Sequence, residues 1–143
     1  MIFGFKSGYY TDMKRFLFVF WQCTWGFLQT LCGFVVFLLN IKEKHYWYHN
    51  AIATEWDKNY GVSLGLFIFG WKGSEDVIMH EYGHSIQSLV LGPLYFIIIG
   101  IPSALWANLG RDFRKRNHVD YSAFYPEKYA DRLGARVVKG KKI

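Results

Sequence analysis

Between residues 16 and 39 the chain carries no charged side chain, and the run FLFVFWQCTWGFLQTLCGFVVFLL is long enough to cross the ~30 Å hydrocarbon core of a bilayer as one helix. It exceeds a usual signal-peptide core, and Asn40-Ile41-Lys42-Glu43-Lys44 follows it in place of a small-residue cleavage site, so the expectation is a retained anchor. Gln22 and Gln29 lie on one face of such a helix, either as a polar seam against other parts of the protein or a partner, or as tolerated polar residues. The rest of the composition agrees with lipid contact. Hydrophobic residues make up 52% of the chain and aromatics 20%, high for a water-soluble domain of 143 residues, and one domain is the default at that length. The net charge of +6 and pI near 9.3 suit an anionic leaflet. They argue less for nucleic acid, because the aromatics sit in apolar runs and do not interleave with a basic patch.

Cys23 and Cys32 fall on nearly opposite faces of the same apolar run, so no easy disulfide joins them. With no zinc-finger spacing of cysteines, any metal has to be held by histidines and carboxylates.

Past the first run the pattern changes. Residues 41–72 alternate short aromatic and β-branched runs with polar and Gly residues, predicting a small antiparallel sheet whose last strand is 62–69, after a turn at Asp57-Lys58-Asn59-Tyr60-Gly61. Gly65 within that strand marks a bulge, a close backbone approach or simply a structural glycine. Ser74 is placed to cap a helix over 74–91, with Glu75 and Asp76 in its first turn and Gly92-Pro93 at its end. Residues 94–109 are apolar but interrupted by Gly100 and Pro102, which fits a short re-entrant or broken membrane segment ahead of the basic cluster Arg111, Arg114, Lys115, Arg116. Pro126 opens a last helix over 126–137. The expected fold is therefore an α+β membrane protein, with one transmembrane helix, a small antiparallel sheet, a motif helix, a membrane hairpin and a C-terminal helix.

The motif helix contains His80-Glu81-Tyr82-Gly83-His84. Histidines at i and i+4 project from one helical face, so both imidazoles can bind one zinc ion, and Glu81 is then directed at the water on that ion as its general base. A catalytic site needs a third protein ligand. In Glu127-Lys128-Tyr129-Ala130-Asp131 two carboxylates are again four apart, so Glu127 can bind the metal while Asp131 holds a ligand imidazole through its other N–H. Alternatively, Glu127 is a surface carboxylate paired with Lys128 or Arg132, and His118, Asp120 or Asp76 is the third ligand. Tyr121, Tyr125, His118 and Arg132 are open candidates for stabilising an oxyanion. His45 and His49 are also four apart, but they flank Tyr46-Trp47-Tyr48 in a strand-like region without a partner Glu, where an interfacial aromatic belt is the simpler reading.

HExxH followed downstream by a helical ExxxD in the form EKYADRLG resembles the gluzincin metallopeptidases, most closely in motif the membrane-bound prenyl-protein and heat-shock zinc endopeptidases. The resemblance covers about a third of the chain. It implies Zn2+ held by His80, His84 and Glu127, with Glu81 as base and Asp131 behind His80. It also implies that a strand beside the motif helix pairs with the substrate backbone, here 62–69 with Ser63, Leu64, Gly65 and Leu66 at its centre. This chain is far shorter than those enzymes and has fewer spanning segments, so their substrates do not carry over. It also looks like small bacterial membrane proteins with HEYGH-x-x-QS and GPLY runs, a likeness that supplies no function.

If Glu127 joins the histidines, the chain between them leaves and returns to one side of the membrane. Two crossings need about 40 apolar residues and 86–109 offers 24, so 94–109 is expected to dip and return, turning near Gly100-Ile101-Pro102. The excess of Lys and Arg beside the motif half orients that half toward the cytoplasm, plausibly of a bacterial membrane. The expected activity is hydrolysis of a peptide or membrane-protein segment at the bilayer, and a polar membrane face also allows self-association. Two other readings stand beside it: a non-catalytic zinc-binding membrane protein, and an accessory subunit of a membrane transport or secretion complex.

Overall fold

The computed structural model describes residues 8–140. The apolar run does not form one helix. Helix α1 (Gly8–Thr24) and helix α2 (Phe27–Leu39) meet at a 99° bend over Trp25 and Gly26. Among the described residues no single helix is long and apolar enough to cross a membrane; two bent pairs reach that length and composition only together. This corrects the expected transmembrane helix, and its physical cause is the glutamine pair. Gln22 Nε2 donates to the Ser85 carbonyl at 2.9 Å, and Gln29 Nε2 donates to Ser88 Oγ at 2.9 Å and to the Gly92 carbonyl at 2.7 Å. Both amides are fully buried, where an unmet donor costs about 1–3 kcal/mol. Bringing both onto one neighbouring helix favours the bend, and Gln22 and Gln29 form a seam within the chain itself.

Strands β1 (Lys44–Tyr48), β2 (Ala51–Trp56), β3 (Val62–Leu64) and β4 (Phe67–Trp71) form one sheet in the order β1-β2-β4-β3. Two hairpins make it, β1–β2 and β3–β4, and they join through a parallel β2–β4 pairing, so the sheet is mixed where an antiparallel one was expected. Alternation within each strand cannot report which hairpin edge meets which. The expected strand 62–69 is two strands: Gly65, at φ 64°, and Leu66 turn the chain. Gly65 lies against the Thr30 backbone, and Leu66 N donates to Thr30 Oγ1 at 3.2 Å. β4 is covered by α2 and by helix α3 (Glu75–Leu91), with Ile68, Phe69, Ile78 and Tyr82 almost fully buried between them. Ser74 precedes α3, yet its hydroxyl donates back to the Trp71 carbonyl at 2.5 Å and does not cap the helix.

After α3 the chain turns by 119° through a 3-10 turn (Gly92–Leu94) and continues as a π-helical turn (Phe96–Gly100) and helix α4 (Ile101–Asn108). The expected hairpin over 94–109 is thus one helical arm, and the reversal lies earlier, at Gly92 with φ 54°. Pro102 does not reverse the chain because it falls in the first turn of α4, where a missing N–H is tolerated. The Ile98 carbonyl, which Pro102 has no N–H to meet, accepts instead from Tyr125 Oη at 2.7 Å.

Helix α5 (Arg111–Asn117) and a 3-10 turn (Tyr121–Ala123) lead to helix α6 (Tyr125–Lys139), which lies across α3 in the largest helix contact of the fold. The crossing is unusually close. A Cβ at Gly83 would overlap the Ala130 carbonyl, and one at Gly134 would overlap the Met79 carbonyl. Replacing Gly83 by Ala should therefore destabilise the fold by about 1–3 kcal/mol in chemical denaturation, as overpacking of a tight contact does.

Candidate metal centre

His80 and His84 leave α3 on the face that meets the first turn of α6, and Glu127 enters from α6. The two Nε2 atoms converge on one oxygen, Glu127 Oε2, at 2.9 and 3.1 Å. The three donor atoms lie within 4.8 Å of one another. Each imidazole is fixed from behind: His80 Nδ1 donates to Asp131 Oδ1 at 2.7 Å and His84 Nδ1 to Gln87 Oε1 at 2.6 Å. Acceptors behind Nδ1 put the proton there and leave the Nε2 lone pairs pointing inward.

Two lone pairs aimed at a carboxylate oxygen repel unless positive charge sits among them. Glu127 is 0% exposed and its Oε1 is buried without a hydrogen-bond partner of good geometry. Two imidazole nitrogens, a buried carboxylate and fixed tautomers are the donor set a divalent transition metal takes, so the residues present fit such an ion. Without metal, protons take its place. Burial alone would lower the His80 pKa, but hydrogen bonds to Asp131 and Glu127 and the charge of Glu81 outweigh it and raise it to about 10. Burial would raise Glu127, yet its contacts with His80 and His84 hold its carboxyl well below the usual range.

Glu81 sits beside the cluster and not in it. It is 7% exposed, and burial pushes its pKa up against the opposing pull of His84 and His80. Its carboxylate is bonded to no described residue. Gly61, at the entry to β3, makes room for it: a Cβ there would stand 2.5 Å from Glu81 Oε1 and 2.8 Å from Val77 Cγ1.

The cluster forms the floor of a cavity of about 1200 Å³. Residues 59–64 line part of it, and the arm after α3 contributes both small residues, Gly100, Ser103 and Ala104, and bulky ones, Tyr95, Phe96 and Ile101. β3 is a terminal strand of the sheet, so among the described residues no strand pairs with its outer edge. Ser63 and Leu64 belong to β3 and to this lining, whereas Gly65 and Leu66 fall in the turn packed on Thr30.

Of the four oxyanion candidates, Tyr121 alone lines the cavity. Its hydroxyl is held protonated by burial, then by the charges of Glu127 and Glu81. Tyr125 is engaged with Ile98, His118 ends α5 at φ 51°, and the Arg132 guanidinium lies over the Tyr129 ring at 5.9 Å. Asp76 and Asp120 line the cavity but stand outside the ligand cluster. His45 bonds Thr54 Oγ1 at 2.8 Å and packs against the Phe37 ring at a 48° tilt, and His49 turns the β1–β2 hairpin, so that pair does not converge. Sequence reasoning missed Gln87 and Gly61 as parts of the site. Gln87 could have been found, since it follows His84 by three residues and so lies one turn along the same face.

Comparison with protein-family models, with curated proteins and with solved structures returns no match. The likeness to gluzincins therefore rests on the motifs alone.

The shifts fix a sign for the metal-free protein. The stability that His80 gains from its partners is fully present below its ordinary pKa of 6.5 and is lost as pH rises through about 10. Glu127 contributes above its ordinary value of 4.5 and loses its contribution only at strongly acidic pH. In chelator-treated protein the melting temperature should fall between pH 7 and pH 10, and that fall should shrink in His80→Ala, as differential scanning calorimetry would read.

Proposed function

We propose that this protein is a zinc metallopeptidase that cleaves peptide or membrane-protein segments. The observation that carries the reading is an open three-donor cluster at the foot of a cavity, with a buried carboxylate beside it that is not a ligand. Zinc, when bound, supplies Lewis acidity toward a carbonyl oxygen and acidifies water. The chain's own residues do the remaining work. Asp131 and Gln87 hold the imidazoles in the tautomer that presents Nε2. Glu81, with its raised pKa, takes the proton of the attacking water and returns it to the leaving amine. Tyr121 offers a neutral O–H toward charge that develops on the carbonyl oxygen.

The outer edge of β3 suits an extended peptide, bound by main-chain hydrogen bonds with Ser63 and Leu64 alongside. A structural zinc site would close the coordination shell with a fourth protein ligand, and no such donor joins His80, His84 and Glu127 among the described residues. That observation favours catalysis over a purely structural metal. The accessory-subunit reading drew on the glutamine seam, whose amide nitrogens find partners within the chain.

Purified full-length chain should bind zinc at one equivalent, and His80→Ala or Glu127→Ala should abolish this in metal analysis. Glu81→Gln should keep the zinc while kcat on a peptide library falls by about 10²–10⁴. Gly61→Ala should do likewise in milder form, by displacing the Glu81 carboxylate. Full activity in Glu81→Gln would overturn the peptidase reading.

A further inference from the structure

Two stretches of this chain, 16–41 and 85–110, carry no charged residue, and each is folded as a bent helix pair, by 99° and 119°. Their corners touch. The Trp25 indole is seated on Gly92, its Nε1 donates to the Val90 carbonyl at 3.3 Å, and Trp21 Nε1 donates to the Leu89 carbonyl at 2.9 Å. Around the joined corners Trp25, Phe27, Leu28, Val90, Leu94 and Ile97 are each between 45% and 72% exposed. No described residue covers these side chains, and a contiguous exposed apolar patch marks an interaction or membrane site.

The outer ends of the arms are different. Arg15 precedes α1 residue Phe16 and donates to the His49 carbonyl at 3.0 Å, beside the β1–β2 turn. Lys42 and Lys44 follow α2 into β1, α3 departs from β4, and Arg111, Arg114, Lys115 and Arg116 follow α4. The arms thus lead from one uncharged pole back to the sheet and the metal cluster, with basic residues where three of the four arms end.

We propose that the joined corners are inserted into one leaflet of an anionic lipid bilayer, so that the protein is seated in the membrane from one side and crosses it nowhere. The dimensions agree. An arm of 13 residues is about 20 Å long, and a 99° change of direction inclines each arm about 50° to the plane of its ends. The corner then lies about 15 Å deep, half of a ~30 Å hydrocarbon core. The amide N–H groups of residues 25 and 26 are met by the Trp21 carbonyl, as that depth requires, and the basic ends come to rest at the phosphates. This seat does not depend on the peptidase reading.

The test uses the full chain synthesised with preformed vesicles of phosphatidylcholine and phosphatidylglycerol. Cys23 is native, exposed and two residues from the corner, so a fluorophore placed on it in Cys32→Ser reports depth. Nitroxide on the lipid acyl chains should quench it several-fold more strongly than the same fluorophore on Arg116→Cys in a chain lacking both native cysteines. In that background, Met13→Cys, Lys42→Cys and Arg116→Cys should each react with an impermeant maleimide added outside. Protection of one of these three positions until the vesicles are opened would show a crossing and overturn the proposal. So would an unquenched Cys23 label, whether the chain stays off the vesicles or pairs its corners with a second copy.

Discussion

The metal cluster depends on one contact, the backbone-to-backbone crossing of α3 and α6. Packed helices ordinarily keep their axes 8–10 Å apart because side chains intervene. Here Gly83, opposite Ala130, and Gly134, opposite Met79, remove those side chains, so that each helix rests on a carbonyl of the other. Glu127 needs this approach to reach both imidazoles with one oxygen, and Asp131, one turn on, to reach the far side of His80. The glycine inside the HEYGH run therefore has a structural task as definite as the histidines that flank it.

α3 is used on several faces at once. Ile78 and Tyr82 pack into the sheet core, His80 and His84 meet α6, and Ser85 and Ser88 receive the glutamines of α1 and α2. Ser85 Oγ further donates to the Gly65 carbonyl at 2.7 Å, which ties the turn after β3 to the residue following His84. The strand lining the cavity, the metal ligands and the bend in the first apolar run are thus linked through adjacent residues of one helix.

Local chemistry was legible along the chain. Helical spacing placed His80 with His84 and Glu127 with Asp131, and the donor types pointed to a metal. The glutamines read as a polar seam, and the 41–72 region read as strands. Hydropathy misled where it counted only length and charge. It could not see that two buried amides in the first run share partners on another helix, nor that the second run turns at Gly92, where the Trp25 ring is seated, eight residues before Gly100.

By itself the sequence determined which residues share a helical face, that 41–72 is strand-forming, and that a His-His-carboxylate donor set exists, because periodicity and side-chain chemistry act over a few residues. Only the tertiary structure decided that β2 and β4 run parallel, that Glu127 and not His118, Asp120 or Asp76 completes the cluster, that Gln87 stands behind His84, and that both apolar runs bend. Those outcomes hang on contacts between residues tens of positions apart, with the steric room left by a few glycines and the demand of each buried polar group for a partner choosing among arrangements that local pattern leaves equal.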